Sequence, residues 1–235
     1  MKTSHLLTSL LVTFIVFSGY TQENSFGVFI ASPVGKFKST DLDGGGFAEN
    51  GWGLVFDSYS QPTFLPKNIK LYSHSTYQWN KMDTRTISEK FTQALGNRTE
   101  VSESRYSPLL TTFGPHIDFG NGEKFKLGIS ATGGVMFNNT KAFAIRVFDV
   151  NDNLIFNELI NFDNKVAFAY TFGANLRFQL IPELLALMVY FDYTSANQKT
   201  DINSQNISVS DSFQKLQYFN TGFKFVIKKQ SSTSS

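Results

Sequence analysis

The chain has 235 residues, a formal net charge of +2 and no cysteine. The near-neutral charge argues against a nucleic-acid partner, and the missing cysteines exclude disulfides, thiolate metal sites, a thiol nucleophile and a lipidated-cysteine anchor. Charged residues make up only 17% and aromatics 15%, whereas a water-soluble domain carries about a quarter charged residues, so much of the surface is expected to face something other than water.

The N-terminus has the pattern of a secretory signal. Lys2 and His5 precede residues 6–17, which are apolar apart from Thr8, Ser9 and Thr13. That run is too short for a comfortable membrane helix. Gly19 and Thr21 favour cleavage before Gln22. The expected organisation is a signal peptide at 1–21, a barrel at 22–229 and a polar tail at 230–235. No later run reaches the ~18 apolar residues of a spanning helix.

Beyond the signal, period-two alternation dominates. A first strand is expected at 25–37. At 51–60, Trp52, Leu54 and Phe56 alternate with Gly53, Val55 and Asp57. At 69–80, Leu71, Tyr77 and Trp79 oppose Lys70, His74 and Gln78. At 107–119, Leu109, Phe113 and Ile117 oppose Thr112, Gly114, His116 and Asp118. At 124–138, Phe125, Leu127, Ile129 and Val135 oppose Lys126, Gly128, Ser130 and Gly134. At 165–180, Val166, Phe168, Tyr170, Phe172 and Phe178 oppose Lys165, Ala167, Ala169, Gly173 and Arg177. At 183–195, Leu185, Leu187, Val189 and Phe191 oppose Ala186, Met188, Tyr190 and Asp192. Last, Phe219, Phe223, Phe225 and Ile227 oppose Tyr218, Asn220, Gly222, Lys224 and Val226. These make eight strands, an even number as bacterial outer-membrane barrels require.

The connections alternate in length. Residues 61–68, Gly120-Asn121-Gly122 and Ile181-Pro182 are short links, while 38–50, 81–106, 139–164 and 196–215 are long. Short turns on one rim and long loops on the other fit a membrane barrel with long loops outside the cell. Ile87, Phe91 and Leu95 recur every fourth residue and predict a helix in the second long loop. Residues 142–150 and 154–162 flank Asn151-Asp152-Asn153 as a hairpin. It either protrudes above the membrane or adds two spanning strands, making ten. Arg146 and Glu158 in mid-segment, and apolar residues on both faces, favour protrusion.

The residue types assign the faces. Small residues such as Ala167, Ala169, Gly173, Gly128, Gly134 and Gly222 suit a narrow lumen. Phe168, Tyr170, Phe172, Phe178, Phe219, Phe223 and Phe225 suit contact with lipid. Aromatics near strand ends suggest girdles: Trp52, Tyr77, Trp79, Phe137 and Tyr193 outside, and Phe64, Phe119, Phe178 and Phe225 inside. The expected fold class is all-β, an antiparallel up-and-down transmembrane barrel.

With these faces in place, the chain resembles the eight-stranded OmpA/OmpX class of outer-membrane barrels over its whole mature length. Its closing run Tyr218-Phe219-Asn220-Thr221-Gly222-Phe223-Lys224-Phe225 resembles the terminal strand of such barrels. The resemblance implies residence in the outer membrane of a Gram-negative bacterium, and outer-membrane lipids and the barrel-assembly machinery as partners. One departure is that the chain continues past Phe225 through Lys228 and Lys229, whereas such barrels end on an aromatic.

No catalytic constellation emerges. His74 and His116 lie on different strands without ligand-like spacing. His116 and Asp118 share a face but lack a partnered nucleophile, and Ser73 and Ser75 point away from His74. No metal or other cofactor is expected. The polar face instead predicts a lumen network of Lys70, His74, His116, Asp118, Lys126, Arg177, Asp192 and Lys224, together with Asp57 and Lys165. In an eight-stranded lumen it reads as a salt-bridged plug rather than an anion path. The leading expectation is a structural or surface-interaction protein without catalysis, whose outer loops meet an extracellular or envelope protein. A narrow channel and a lipid-modifying enzyme are the alternatives.

Overall fold

A computed structural model describes residues 23–120, 124–182, 184–206 and 208–228. The expected signal peptide, the Asn121-Gly122 part of the short turn and the expected polar tail lie outside the described residues. In chain order the elements are β1 (Glu23–Pro33), α1 (Gly35–Lys38), β2 (Ala48–Ser60), β3 (Ile69–Met82), α2 (Thr84–Leu95), β4 (Arg98–Val101), β5 (Arg105–Phe119), β6 (Phe125–Thr140), β7 (Phe143–Phe148), β8 (Leu154–Asn164), β9 (Ala167–Ile181), β10 (Leu185–Asn203) and β11 (Ser208–Lys228).

Eight of these strands form a ring in the order β1, β2, β3, β5, β6, β9, β10, β11. It closes where β1 pairs with β11, Glu23 opposite Lys228 and Pro33 opposite Tyr218. All neighbours are antiparallel. Closure matters because hydrocarbon offers no partner for a free backbone group.

Alternation sets the two faces. On β1, Ile30 is 60% exposed while Ala31 is fully buried; on β9, Phe168 is 72% exposed while Ala169 is fully buried. Exposed apolar side chains cover the outside, and polar or small ones fill the inside. This inverts the polarity of a water-soluble barrel and identifies the ring as a transmembrane barrel. The lumen is tight: a Cβ on Gly222 would lie 2.1 Å from the Val28 carbonyl oxygen. Near the long-loop rim, Trp52 and Trp79 pair across strands with rings 4.4 Å apart, and Tyr77 packs on Trp79 at 4.5 Å. Near the other rim, Phe64 and Phe119 are exposed.

The hairpin at 142–162 protrudes, so the barrel has eight strands and not ten. β7 and β8 pair with each other, and β8 meets β10 only through residues Asn161–Asn164. The helix expected from Ile87, Phe91 and Leu95 is α2. Asp83 caps it by accepting from the Thr86 amide, and Gly96 ends it at φ 70°. Ile87 is buried beneath it, whereas Leu95 is 53% exposed.

Three expectations need correction. The first strand stops at Pro33 and not at residue 37, because the chain turns inward at Gly35 (φ 56°). Phe37 is then fully buried in the barrel mouth, 5.0 Å from the Tyr106 ring and 6.0 Å from the Tyr218 ring. Residues 196–215 are not a loop: β10 continues to Asn203 and β11 starts at Ser208, with an irregularity between Thr200 and Ile202. The buried side chains here include the polar Gln198 and Thr200, so the apolar–polar alternation that marks spanning strands fades. Lys165 does not face the lumen. It stands exposed beyond β9, paired with Asp163 and with Asp201 at 3.0 Å.

Candidate functional site

The lumen is filled layer by layer. Nearest the short-turn rim, Lys70 donates to Glu23 at 3.0 Å and to Asp118 at 2.9 Å. Arg177 Nη1 donates to Glu23 at 2.8 Å, and His116 Nε2 lies 2.9 Å from Asp118. The Tyr59 ring lies beneath both cations, 5.8 Å from Lys70 and 5.5 Å from Arg177, and stacks on Tyr72.

A second cluster occupies the middle. Asp57 accepts from Lys224 Nζ at 2.7 Å and from Ser25 Oγ at 2.9 Å, and lies 2.8 Å from His74 Nδ1. The Tyr72 hydroxyl lies 3.0 Å from the same ring nitrogen. Lys224 sits 3.7 Å over the Tyr190 ring, and Asp192 lies 3.7 Å from His74 Nε2. Above come paired threonines, Thr112 with Thr132 at 2.8 Å and Thr171 with Thr194 at 3.0 Å. Leu110, Met136, Leu216 and Tyr218 then form an apolar layer capped by Phe37. Buried charges need partners, and this stack supplies them for Asp57, Asp118, Glu23, Lys70 and Lys224 while leaving the interior occupied.

Of the lumen residues expected from sequence, Lys70, His74, His116, Asp118, Arg177 and Lys224 join these clusters, and Asp192 packs beside His74. Lys126 stands half-buried at the short-turn mouth, outside both clusters. Glu23, Tyr59, Tyr72 and Tyr190 were missed. Glu23 precedes the point where alternation becomes legible. The tyrosines share the parity of Asp57, His74 and Asp192, a signal that would have found them. Among the described residues, no three His, Asp or Glu side chains are arranged to hold a metal.

The long-loop rim carries the second candidate site. β4, β7 and β8 form a small sheet joined to the barrel through the β8–β10 pairing. Its two edges are treated differently. The β4 edge is covered by α2, whose Thr92 and Ser88 hydroxyls accept from the Thr99 and Val101 amides at 2.9 Å. The β8 edge is open along residues 154–157: among the described residues, no strand pairs on that side. Leu154, Ile155 and Leu159 are each more than 50% exposed, and Phe156 is 38% exposed. Phe213 on β11, one strand beyond β10, is 68% exposed.

Glu158 anchors this edge to the hairpin tip. It is buried and accepts from the Ser204 hydroxyl and the Asn206 amide. These hydrogen bonds, the one from Ser204 foremost, hold its carboxyl below the usual glutamate range. At the barrel mouth, hydrogen bonds to Asp163 and Asp201 push the Lys165 ammonium above its ordinary value.

No protein-family model and no curated protein matches the chain. Solved structures do. OprG of Pseudomonas aeruginosa aligns with a TM-score of 0.47 at 8% identity, covering 89% of this chain and 98% of that one. A major outer membrane protein of Thermus thermophilus gives 0.46 at 14%, covering 87% and 99%. Neisserial surface protein A gives 0.44 at 8%, covering 88% and 96%. The closed ring, the apolar exterior and the polar interior are by themselves the architecture of an eight-stranded transmembrane β-barrel.

Proposed function

We propose that this protein resides in the outer membrane of a Gram-negative bacterium and acts at the cell surface, without catalysis, by binding a protein segment along the open edge of β8. The observation that carries the reading is the contrast between the two sheet edges. An unpaired strand edge is a template for another strand, and proteins ordinarily blunt it. Here the β4 edge is blunted by α2, while the β8 edge is left open with apolar side chains beside it. Main-chain pairing to such an edge supplies affinity, and flanking side chains supply selectivity. The signal-like N-terminus supports export, and the packed lumen supports a plug over a solute path.

Three measurements test this. The folded barrel should migrate differently in gels before and after boiling, and a mature protein that stays soluble without detergent would overturn the membrane assignment. In planar bilayers the protein should show no steady conductance; robust channels would favour a solute path. Cells displaying the protein should adhere to protein-coated surfaces, and an Ile155→Lys/Leu159→Lys variant should lose at least tenfold of that adhesion. Undiminished adhesion would overturn strand addition.

A further inference from the structure

Among the described residues, the mouth at the short-turn rim holds more cations than its carboxylates use. Glu23 and Asp118 are already engaged by Lys70, Arg177 and His116. Beside them Lys124, Phe125, Lys126, Arg177, Gln179 and Lys228 line a shallow cup open to the solvent side. Strand register assembles it: Lys126 pairs with Arg177 across β6 and β9, and Lys228 stands opposite Glu23 across β11 and β1. Among the described residues, Lys124, Lys126 and Lys228 form no ion pair.

Arg177 is 3% exposed, yet only its Nη1 is used; Nε and Nη2 have no acceptor. Leaving buried charged donors unmatched is costly. These two N–H groups share one edge of the guanidinium, the fork that grips two oxygens of a carboxylate or phosphate in parallel. Three further ammonium groups around the cup favour phosphate over carboxylate, since free phosphate, like a phosphate monoester, carries about −1.5 to −2 at neutral pH. A phosphodiester headgroup carries a single charge and relies on its two unesterified oxygens in the fork.

We propose that this mouth is a binding site for a phosphate-type oxyanion, gripped by Arg177 Nε and Nη2 and flanked by Lys126 and Lys228. The source is either the headgroup of an inner-leaflet phospholipid or free phosphate.

The test uses the full mature chain in a phosphate-free maltoside detergent, titrated with inorganic phosphate and read by the ¹⁵N shift of Arg177 Nε. Saturable binding is expected. Arg177→Lys keeps a cation for Glu23 but lacks the fork, and should weaken binding at least tenfold. Lys126→Gln/Lys228→Gln should do the same with heat-dependent gel mobility unchanged. Repeating the titration in phospholipid nanodiscs separates the sources. At least tenfold weaker apparent binding there assigns the site to a headgroup, and unchanged binding assigns it to the free anion. No saturable binding in wild type, or none of these losses in the variants, would overturn the proposal.

Discussion

Lys224 Nζ meets Asp57 Oδ2 at 2.7 Å by reaching from β11 to β2 across the intervening strand β1. The strand between contributes Gly27 at that level, opposite Lys224 on one side and Val55 on the other. Its missing side chain leaves the lumen side of β1 clear for the lysine. Removing one partner of a buried pair strands the other charge, at a cost of about 3–5 kcal/mol. Lys224→Met and Asp57→Asn are each expected to lower the unfolding free energy in lipid vesicles by about that amount. The double variant should lose much less than the sum. Urea titration read by heat-dependent gel mobility checks this, and additive losses would show that the pair is not coupled.

Phe37 is the cap on the lumen, yet it belongs to α1, outside the ring of strands. Phe37→Ala should therefore loosen residues 34–47 without unfolding the barrel, as expected of a locally opening segment. Limited proteolysis from the long-loop side should cut this segment at least tenfold faster. Conductance should stay absent, because the threonine and ion-pair layers remain below. A variant that conducts steadily would place the seal in α1 alone.

The glycines make a paired prediction. A Cβ at Gly222 would lie 2.1 Å from the Val28 carbonyl oxygen and 2.8 Å from Phe29 Cα, so backbone must move. At Gly133 the nearest atom is Phe168 Cζ at 3.3 Å, the end of a side chain on the lipid face. Gly222→Ala should destabilise the barrel by about 1–3 kcal/mol, the usual cost of overpacking. Gly133→Ala should stay close to neutral. Equal midpoints in urea would contradict the contrast.

Glu158 gives the β10–β11 hairpin tip a pH dependence whose sign follows from its hydrogen bonds. Its carboxyl titrates below the usual glutamate value when the tip is folded. The stabilisation is therefore complete above the ordinary carboxylate pKa of about 4.3 and is lost as pH falls through the lowered value. Amide hydrogen exchange at residues 204–206 should be slow at pH 7 and markedly faster, after correction for intrinsic rates, near pH 3. Glu158→Gln should flatten the dependence; an unchanged profile would show that another group controls the tip.

The sequence by itself determined the eight spanning strands, their inward and outward faces, the helix at α2 and the hairpin at 142–162, whose protrusion it favoured and the strand pairing decided. Each of these is a local property. The parity of a residue along a strand fixes its face, and an every-fourth spacing fixes a helix stripe, so no knowledge of neighbours is needed. It also identified the inward charges, but not which of them meet. The contacts of Asp57 with Lys224 and of Arg177 with Glu23 depend on ring closure and on the stagger between strands, which bring residues 167 and 154 positions apart together. Only the tertiary structure turned Phe37 into the mouth, because burial there is supplied by Tyr106 and Tyr218 from distant strands. Above the membrane no lipid face calls for apolar side chains and buried positions such as Gln198 and Thr200 are polar, so the continuation of β10 and β11 and the open edge of β8 left no alternating apolar pattern. The surface on which the proposed function rests is thus the part that was least legible in the sequence.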